Sequence, residues 1–148
     1  MERTSSTYQT YVEILKRELV CAMGCTEPIA IAYCAAVARK ALGALPKRIE
    51  VTASGNIIKN VKSVIVPNTG GLRGIAAAAA IGALAGDAEA GLQVVSHVKQ
   101  DEIAALPGYM EKTEFEVAAA ESDYLLDIEV TARDADHFAT VRAVREHT

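Results

Sequence analysis

The segment from Pro28 to Leu42 constrains this chain most, because it is apolar almost all round. A helix with that pattern is buried on several sides rather than along one stripe. Pro28 suits the first turn of such a helix, and Gly43 followed by Pro46 stops it. We therefore expect a central buried helix around which the other elements pack. The abundance of alanine predicts a core that is tight but thin.

Helical spacing predicts further helices on both sides of this segment. Ser6 to Gln9 has the form of a capping box that begins the first of them. Gly86 ends a second alanine-rich helix, and Asp87 can cap the helix after it. These predicted helices run from about residue 6 to 23, from Leu72 to Ala85, from Asp87 to about Val98, and from Asp101 to Leu106.

Period-two alternation predicts the strands. Ile49, Val51 and Ala53 alternate with polar residues in a half-buried strand, which Ser54-Gly55-Asn56 ends. Beyond Pro107, three strands separated by short polar turns predict an antiparallel meander. The class is therefore α+β, with buried alanine-rich helices packed on a mainly antiparallel sheet, in a single domain over residues 1–148. The other predicted strands are Ser63 to Val66, Thr113 to Ala119, Tyr124 to Thr131 and His137 to Val144.

Composition and charge exclude several functional classes. Aromatic residues make up 5% of the chain and tryptophan is absent, which removes the usual platforms for stacking bases. The net charge of -4, with no basic cluster, argues against a nucleic-acid partner. No signal peptide is recognisable, and no uncharged run reaches the roughly 20 apolar residues that span a bilayer. We expect a soluble cytoplasmic protein with no membrane partner.

Cys25 is the first candidate for chemistry. It stands immediately before the predicted buried helix, where free backbone amides and the positive end of the helix dipole favour the thiolate. The alternative is a small buried side chain, and packing within a helix is the favoured interpretation for Cys21 and Cys34. The spacing of these three cysteines matches no iron-sulfur or zinc pattern, so they are not expected to hold a cluster by themselves.

Two polar clusters are candidates for binding a small zwitterion. In the first, consecutive amides of the turn containing Thr69, Gly70 and Gly71 can cup a carboxylate, with the Thr69 hydroxyl as an extra donor and Arg73 as a counter-charge. A purely structural glycine turn is the alternative. In the second, short polar side chains leave a strand together, and the alternative is a simple turn. The second cluster comprises Ser54, Asn56, Lys59 and Asn60.

The order of these motifs resembles the L-cysteine desulfidase family, which is related to the alpha chain of iron-sulfur L-serine dehydratases. Gly24-Cys25-Thr26-Glu27-Pro28 precedes an alanine-rich helix, and the Ser54 to Asn60 and Val66 to Gly70 segments follow, with Gly82 to Gly86 after them. The resemblance covers essentially all 148 residues. Family members look about three times longer and carry further cysteines, which implies that this chain is an N-terminal fragment of a longer enzyme.

The resemblance implies a lyase with a 4Fe-4S cluster, whose open iron binds the substrate while a base removes the α-proton. Elimination from L-cysteine or L-serine then gives pyruvate and ammonia. Cys25 would be a cluster ligand or the catalytic base, and the two polar clusters would hold the amino acid. This fragment alone is expected to bind no cluster, to be inactive and to form a homo-oligomer. The alternative is a non-catalytic module of the same fold that binds a small ligand or another subunit.

Overall fold

The computed structural model describes residues 9–13 and 26–144 and has an α+β fold, as predicted. Residues 9–13 are helical, in agreement with the first predicted helix, whose capping residue Ser6 lies outside the described residues. The other elements are α1 (Thr26–Leu42), β1 (Arg48–Ser54), α2 (Gly55–Val61), α3 (Gly74–Ala85), a 3-10 turn (Gly91–Gln93), α4 (Gln100–Lys112), β2 (Glu114–Ala120), β3 (Asp127–Asp134) and β4 (His137–Val144).

Helix α1 is the buried helix that the sequence predicts. Nine of its residues are buried, and it packs against β3, β4 and α3. It ends at Gly43, which has a φ of +78° and donates its backbone N–H to the Arg39 carbonyl at 2.9 Å. Glycine reaches that left-handed conformation without a Cβ penalty, and this is why the helix stops there.

The four strands lie in the order β2-β1-β3-β4, and two of the three pairings are antiparallel. The hairpin of β3 and β4 is as predicted, with His137 opposite Asp134. The predicted meander of the last three strands is wrong in its first pairing, because β2 is not a neighbour of β3. Strand β2 is instead a parallel neighbour of β1, with Glu114 opposite Arg48, so that β1 lies between β2 and β3.

The apolar row on β1 explains this order. Ile49, Val51 and Ala53 are all buried beneath the helices, and a strand with such a row is covered best when it has neighbours on both sides. Helices α2 to α4 provide the long crossover that a parallel pair needs. The Ser54 hydroxyl donates to the Leu125 carbonyl at 2.6 Å, which ties the segment joining β2 to β3 to the end of β1.

Three local predictions also need correction. The predicted strand at Ser63 to Val66 is a single bridge between Ile65 and Arg73. The predicted helix from Asp87 to Val98 is replaced by turns around Gly91–Gln93, because the Asp87 carboxylate accepts the Glu89 backbone N–H in a local turn. Helix α2 was not predicted at all.

Helix α4 begins at Gln100 and continues through Pro107 and Gly108 to Lys112, well beyond the predicted end at Leu106. Pro107 and Gly108 are exposed, so the hydrogen bond that proline cannot donate is lost on the solvent side. None of the helices in the described part of the chain is long and apolar enough to cross a membrane.

Helices α1 and α3 approach so closely that one position on α3 has no room for a side chain. A Cβ built on Gly82 would lie 2.1 Å from the Ala32 carbonyl oxygen, and one built on Gly86 would lie 2.9 Å from the Ala36 Cβ. The neighbouring atoms at Gly82 are backbone and cannot turn aside. The small residues of α3 are therefore a condition of this packing, as the expected thin core implies.

We predict that Gly82→Ala lowers the free energy of unfolding by about 2–3 kcal/mol, because the added methyl group forces the two helices apart. Urea unfolding followed by circular dichroism measures the change. Gly108→Ala is the matched control, since a Cβ there has nothing within 4 Å. We expect the control to be stabilised by about 0.5–1 kcal/mol. A Gly82→Ala protein as stable as the parent would contradict the described packing.

Candidate functional site

Helix α1 carries the sequence motif around Cys25 at its beginning. The helix begins at Thr26, and Thr26 and Glu27 are half-buried while Pro28 is buried. Cys25 and Cys21 lie outside the described residues, so the roles predicted for them stay predictions. The expected helix directly after Cys25 is present.

Cys34 has the buried, structural environment that the sequence predicts for it. Its side chain is fully buried within α1, and burial raises the pKa of the thiol from 9.0 to about 12. A thiol that stays protonated is a poor metal ligand and a poor nucleophile. The described position of Cys34 therefore gives it a packing role.

The cluster containing Ser54 lies at the end of β1 and along α2. Ser54 is buried, and its hydroxyl is used in the hydrogen bond to the Leu125 carbonyl. The other three side chains of the cluster are on α2 rather than in the expected turn, and all three are exposed: Asn56, Lys59 and Asn60.

The cluster containing Thr69 is the tip of a hairpin-like loop between α2 and α3. The Ile65–Arg73 bridge and a hydrogen bond from the Val66 N–H to the Leu72 carbonyl, 2.9 Å, close its stem. The buried Thr69 hydroxyl donates to the Val66 carbonyl at 2.7 Å and accepts the Leu72 N–H at 3.1 Å. The side chain of Thr69 thus holds the two sides of the loop together.

The backbone at the tip of this loop is left-handed at several positions. Asn68, Gly70 and Gly71 have φ values of 56°, 74° and 95°. Asn68 tolerates this conformation better than most residues do, and its side-chain amide donates to the Val95 carbonyl at 2.8 Å. Gly70 and Gly71 are exposed, so the loop presents backbone amides in a fixed arrangement.

The hydrogen bonds attach the two predicted clusters to different parts of the fold. Ser54 is bonded to the segment after β2, whereas the loop at Thr69 is bonded internally and, through Asn68, to Val95. Arg73, the predicted counter-charge, donates to the Ser63 carbonyl at 2.6 Å across the stem of the loop. In the described structure its guanidinium thus supports the loop.

Sequence reasoning missed a cavity of about 420 Å³ between the ends of α1 and α3. Lys40 and Glu89 form an ion pair at 2.5 Å across it, and Arg39 donates to the Leu84 carbonyl at 3.4 Å. The ion pair raises the pKa of Lys40, with the hydrogen bond to Glu89 as the main cause. Lys40 and Glu89 are 49 positions apart in the sequence, so no local sequence motif indicates their contact.

Comparison with curated proteins matches the chain over nearly its whole length. A UPF0597 protein of Desulfitobacterium hafniense is 51% identical over 148 residues, and one of Finegoldia magna is 48% identical over 141 residues. A third, from Treponema denticola, is 42% identical over 148 residues. The chain matches a segment of UPF0597 proteins.

The chain spans about a third of the length of these UPF0597 relatives. The matches cover 100%, 95% and 100% of this chain, respectively, but 34% of each relative. No protein-family model matches the chain, and no solved structure does. The names of the UPF0597 relatives state no reaction, cofactor or ligand, so the resemblance to L-cysteine desulfidases remains a prediction from the motifs.

Residues 9–13 and 26–144 contain no group of three or more histidine, cysteine or acidic side chains placed to hold a metal ion. Cys34, the one cysteine in these ranges, is buried and protonated. The role of Cys25 as a cluster ligand stays a prediction from the sequence.

We predict that Cys34 is alkylated no faster than the chain unfolds, since its thiol is buried and neutral. Peptide-resolved mass spectrometry after iodoacetamide treatment, with and without urea, measures this.

Burial of Cys34 also predicts a pH-dependent stability. The unfolded chain loses the thiol proton near pH 9 and the folded chain near pH 12. The contribution of Cys34 to stability is therefore complete below pH 9 and is lost as the pH rises to 12. A Cys34→Ala variant should lack this alkaline loss. Rapid native alkylation of Cys34 would contradict its described burial.

Proposed function

We propose that this chain is the part of a larger 4Fe-4S-dependent lyase that holds L-cysteine or L-serine for α,β-elimination to pyruvate and ammonia. The ordered motifs beginning at Cys25 support the proposal. The greater length of the UPF0597 relatives is compatible with it, because a segment of this size need carry only part of the active site. The cluster belongs to the whole protein in this proposal, and we assign the whole protein to the cytoplasm.

The preformed loop at Thr69 is the observation that carries the binding role. Its tip is fixed by hydrogen bonds on both sides of Thr69, so its exposed amides need no reordering when a ligand arrives. Glycine-rich turns of this kind can direct successive backbone N–H groups toward a bound anion. In the proposal, Gly70 and Gly71 donate to the carboxylate of the amino acid.

The other predicted residues divide into contacting and positioning groups in this proposal. Asn56, Lys59 and Asn60 are exposed on α2 and offer amide and ammonium groups to the polar ends of a substrate. The buried hydroxyls of Ser54 and Thr69 are used in internal hydrogen bonds and act as positioning groups. In this proposal, Cys25 either binds the cluster as a ligand or acts as the base that removes the α-proton.

A chimera tests the proposed reaction. Residues 1–148 replace the matching segment of the Desulfitobacterium hafniense UPF0597 protein, which is then reconstituted anaerobically with iron and sulfide. We expect pyruvate to form from L-cysteine or L-serine. Cys25→Ala should lower the rate at least about 100-fold, as expected on removing a cluster ligand or base. Cys34→Ala is the matched control and should change the rate little, since Cys34 only packs.

Two outcomes would count against this proposal. A fully metallated chimera that forms no pyruvate would overturn the lyase. A Cys25→Ala chimera that keeps both cluster and rate would overturn the role of that residue. If the inactive chimera is nevertheless stabilised by amino acids in thermal unfolding, the alternative of a ligand-binding module gains support.

Thr69 gives a separate prediction for the loop. Thr69→Val in the chimera removes the hydroxyl but keeps the shape of the side chain, and we expect KM to rise about tenfold with a smaller change in kcat. Thr69→Ser keeps the hydroxyl and should restore KM. Steady-state kinetics on both variants measure the difference. Equal KM values for the parent and Thr69→Val would show that the loop does not position the substrate.

A further inference from the structure

Strand β2 is an edge of the described sheet, and the described residues cover its inward apolar row only in part, since Phe115 packs against the core whereas Val117 is exposed. Phe115 and Val117 lie opposite Ile49 and Val51 in the parallel register, so they share the face on which the helices pack. Val117 is nevertheless 44% exposed, whereas Val51 beside it is 1% exposed. The core face of the sheet therefore continues onto β2, where helices α2 and α3 contact the strand but the described residues leave Val117 exposed.

The opposite edge of the sheet differs. Val141 and Ala143 on β4 are half-buried and pack against the core, and α1 lies over this strand. An exposed edge strand presents unpaired N–H and C=O groups to another strand. The described residues form two edge strands, β2 and β4. Of these, β2 has both an unpaired backbone edge and exposed side chains on its inward face.

The outward face of β2 carries charges that are already paired. Glu114 accepts a hydrogen bond from Arg48 at 2.8 Å, and Glu116 is bonded to the same guanidinium. Charged side chains are one of the means by which proteins protect sheet edges. Here Arg48 of β1 pairs with both carboxylates, which offsets part of the negative charge beside the hydrogen-bonding edge.

We propose that β2 pairs with β2 of a second copy of this chain, antiparallel and centred on Val117, to form a continuous eight-stranded sheet. The twofold axis crosses the midpoint of the seven-residue strand, so all seven residues overlap. Val117 then lies opposite Val117 of the partner subunit. This interface does not depend on the proposed lyase activity.

Charge and size select this register. Glu114 lies opposite Ala120 of the partner subunit and Glu116 opposite Ala118 of the partner subunit, so no like charges face each other. A register centred on Glu116 would place two carboxylates directly opposite. In the Val117 register the large Phe115 faces Ala119 of the partner subunit, which lets the two inward rows interdigitate.

The inward face of β2 also favours a second copy of this chain as the pairing partner. Val117 against Val117 of the partner subunit buries two half-exposed apolar side chains, and cross-strand pairs of β-branched residues stabilise a sheet. The strand can therefore pair with itself through its backbone without opposing like charges, and the pairing covers its exposed apolar side chain. Nothing from a different protein is needed to satisfy it.

Sedimentation equilibrium of the 148-residue chain between roughly 1 and 100 µM, a range in which many specific dimers form, tests the proposal. We expect a dimer. Val117→Lys should weaken it at least about tenfold, because two ammonium groups then face each other across the axis. Phe138→Lys is the matched control on the other edge strand, where Phe138 is 64% exposed, and it should leave the dimer intact.

A mixing experiment separates a lost interface from a lost fold. Val117→Lys and Val117→Glu should each be monomeric, with the circular dichroism of the parent. An equimolar mixture should restore the dimer, since opposite charges then meet at the axis. A monomeric parent chain, a dimer that survives Val117→Lys, or a mixture that stays monomeric would each overturn the proposal. A monomeric parent would assign the edge to another occupant, such as a strand from the remainder of a longer UPF0597-like polypeptide.

Discussion

The close approach of α3 to α1 is the constraint on which the rest of the structure depends. With the Ala32 carbonyl oxygen only 2.1 Å from where a Gly82 Cβ would lie, the two helices behave as one thick element. This leaves α1 free to pack against β3 and β4 while α3 and α2 contact β1 and β2. Small side chains on the helices thus decide how much sheet the helical layer can cover.

Much of the fold was predictable because its signals are local. The ends of α1 at Leu42 and of β4 at His137 and Val144 follow from glycine stops and from alternation. The position of β2 was not predictable in this way, since a strand beside β1 is chosen by the burial of β1 and not by anything in residues 113–119. The missing helix after Asp87 shows the same limit, because an aspartate that caps a helix and one that closes a turn look alike in sequence.

The sequence indicated which residues form the candidate loop, but it did not indicate the hydrogen bonds that their side chains make. The glycines at 70 and 71 do form a left-handed turn before a helix, as a glycine-rich sequence indicates. The sequence could not indicate that the Thr69 hydroxyl is used between Val66 and Leu72, because that bond depends on the loop folding back on itself. The cavity spanned by Lys40 and Glu89 was missed because its sides come from distant segments.

The loop at Thr69 is held largely by bonds among residues 63–74, with its stem, its threonine and Arg73 all inside that span. Its shape is therefore inherited as a unit. Gly70 and Gly71 at its tip are restricted to glycine by their left-handed φ values, whereas substitutions in the core leave the hydrogen bonds within the loop in place. The shape of the turn and the stability of the core therefore depend on different residues.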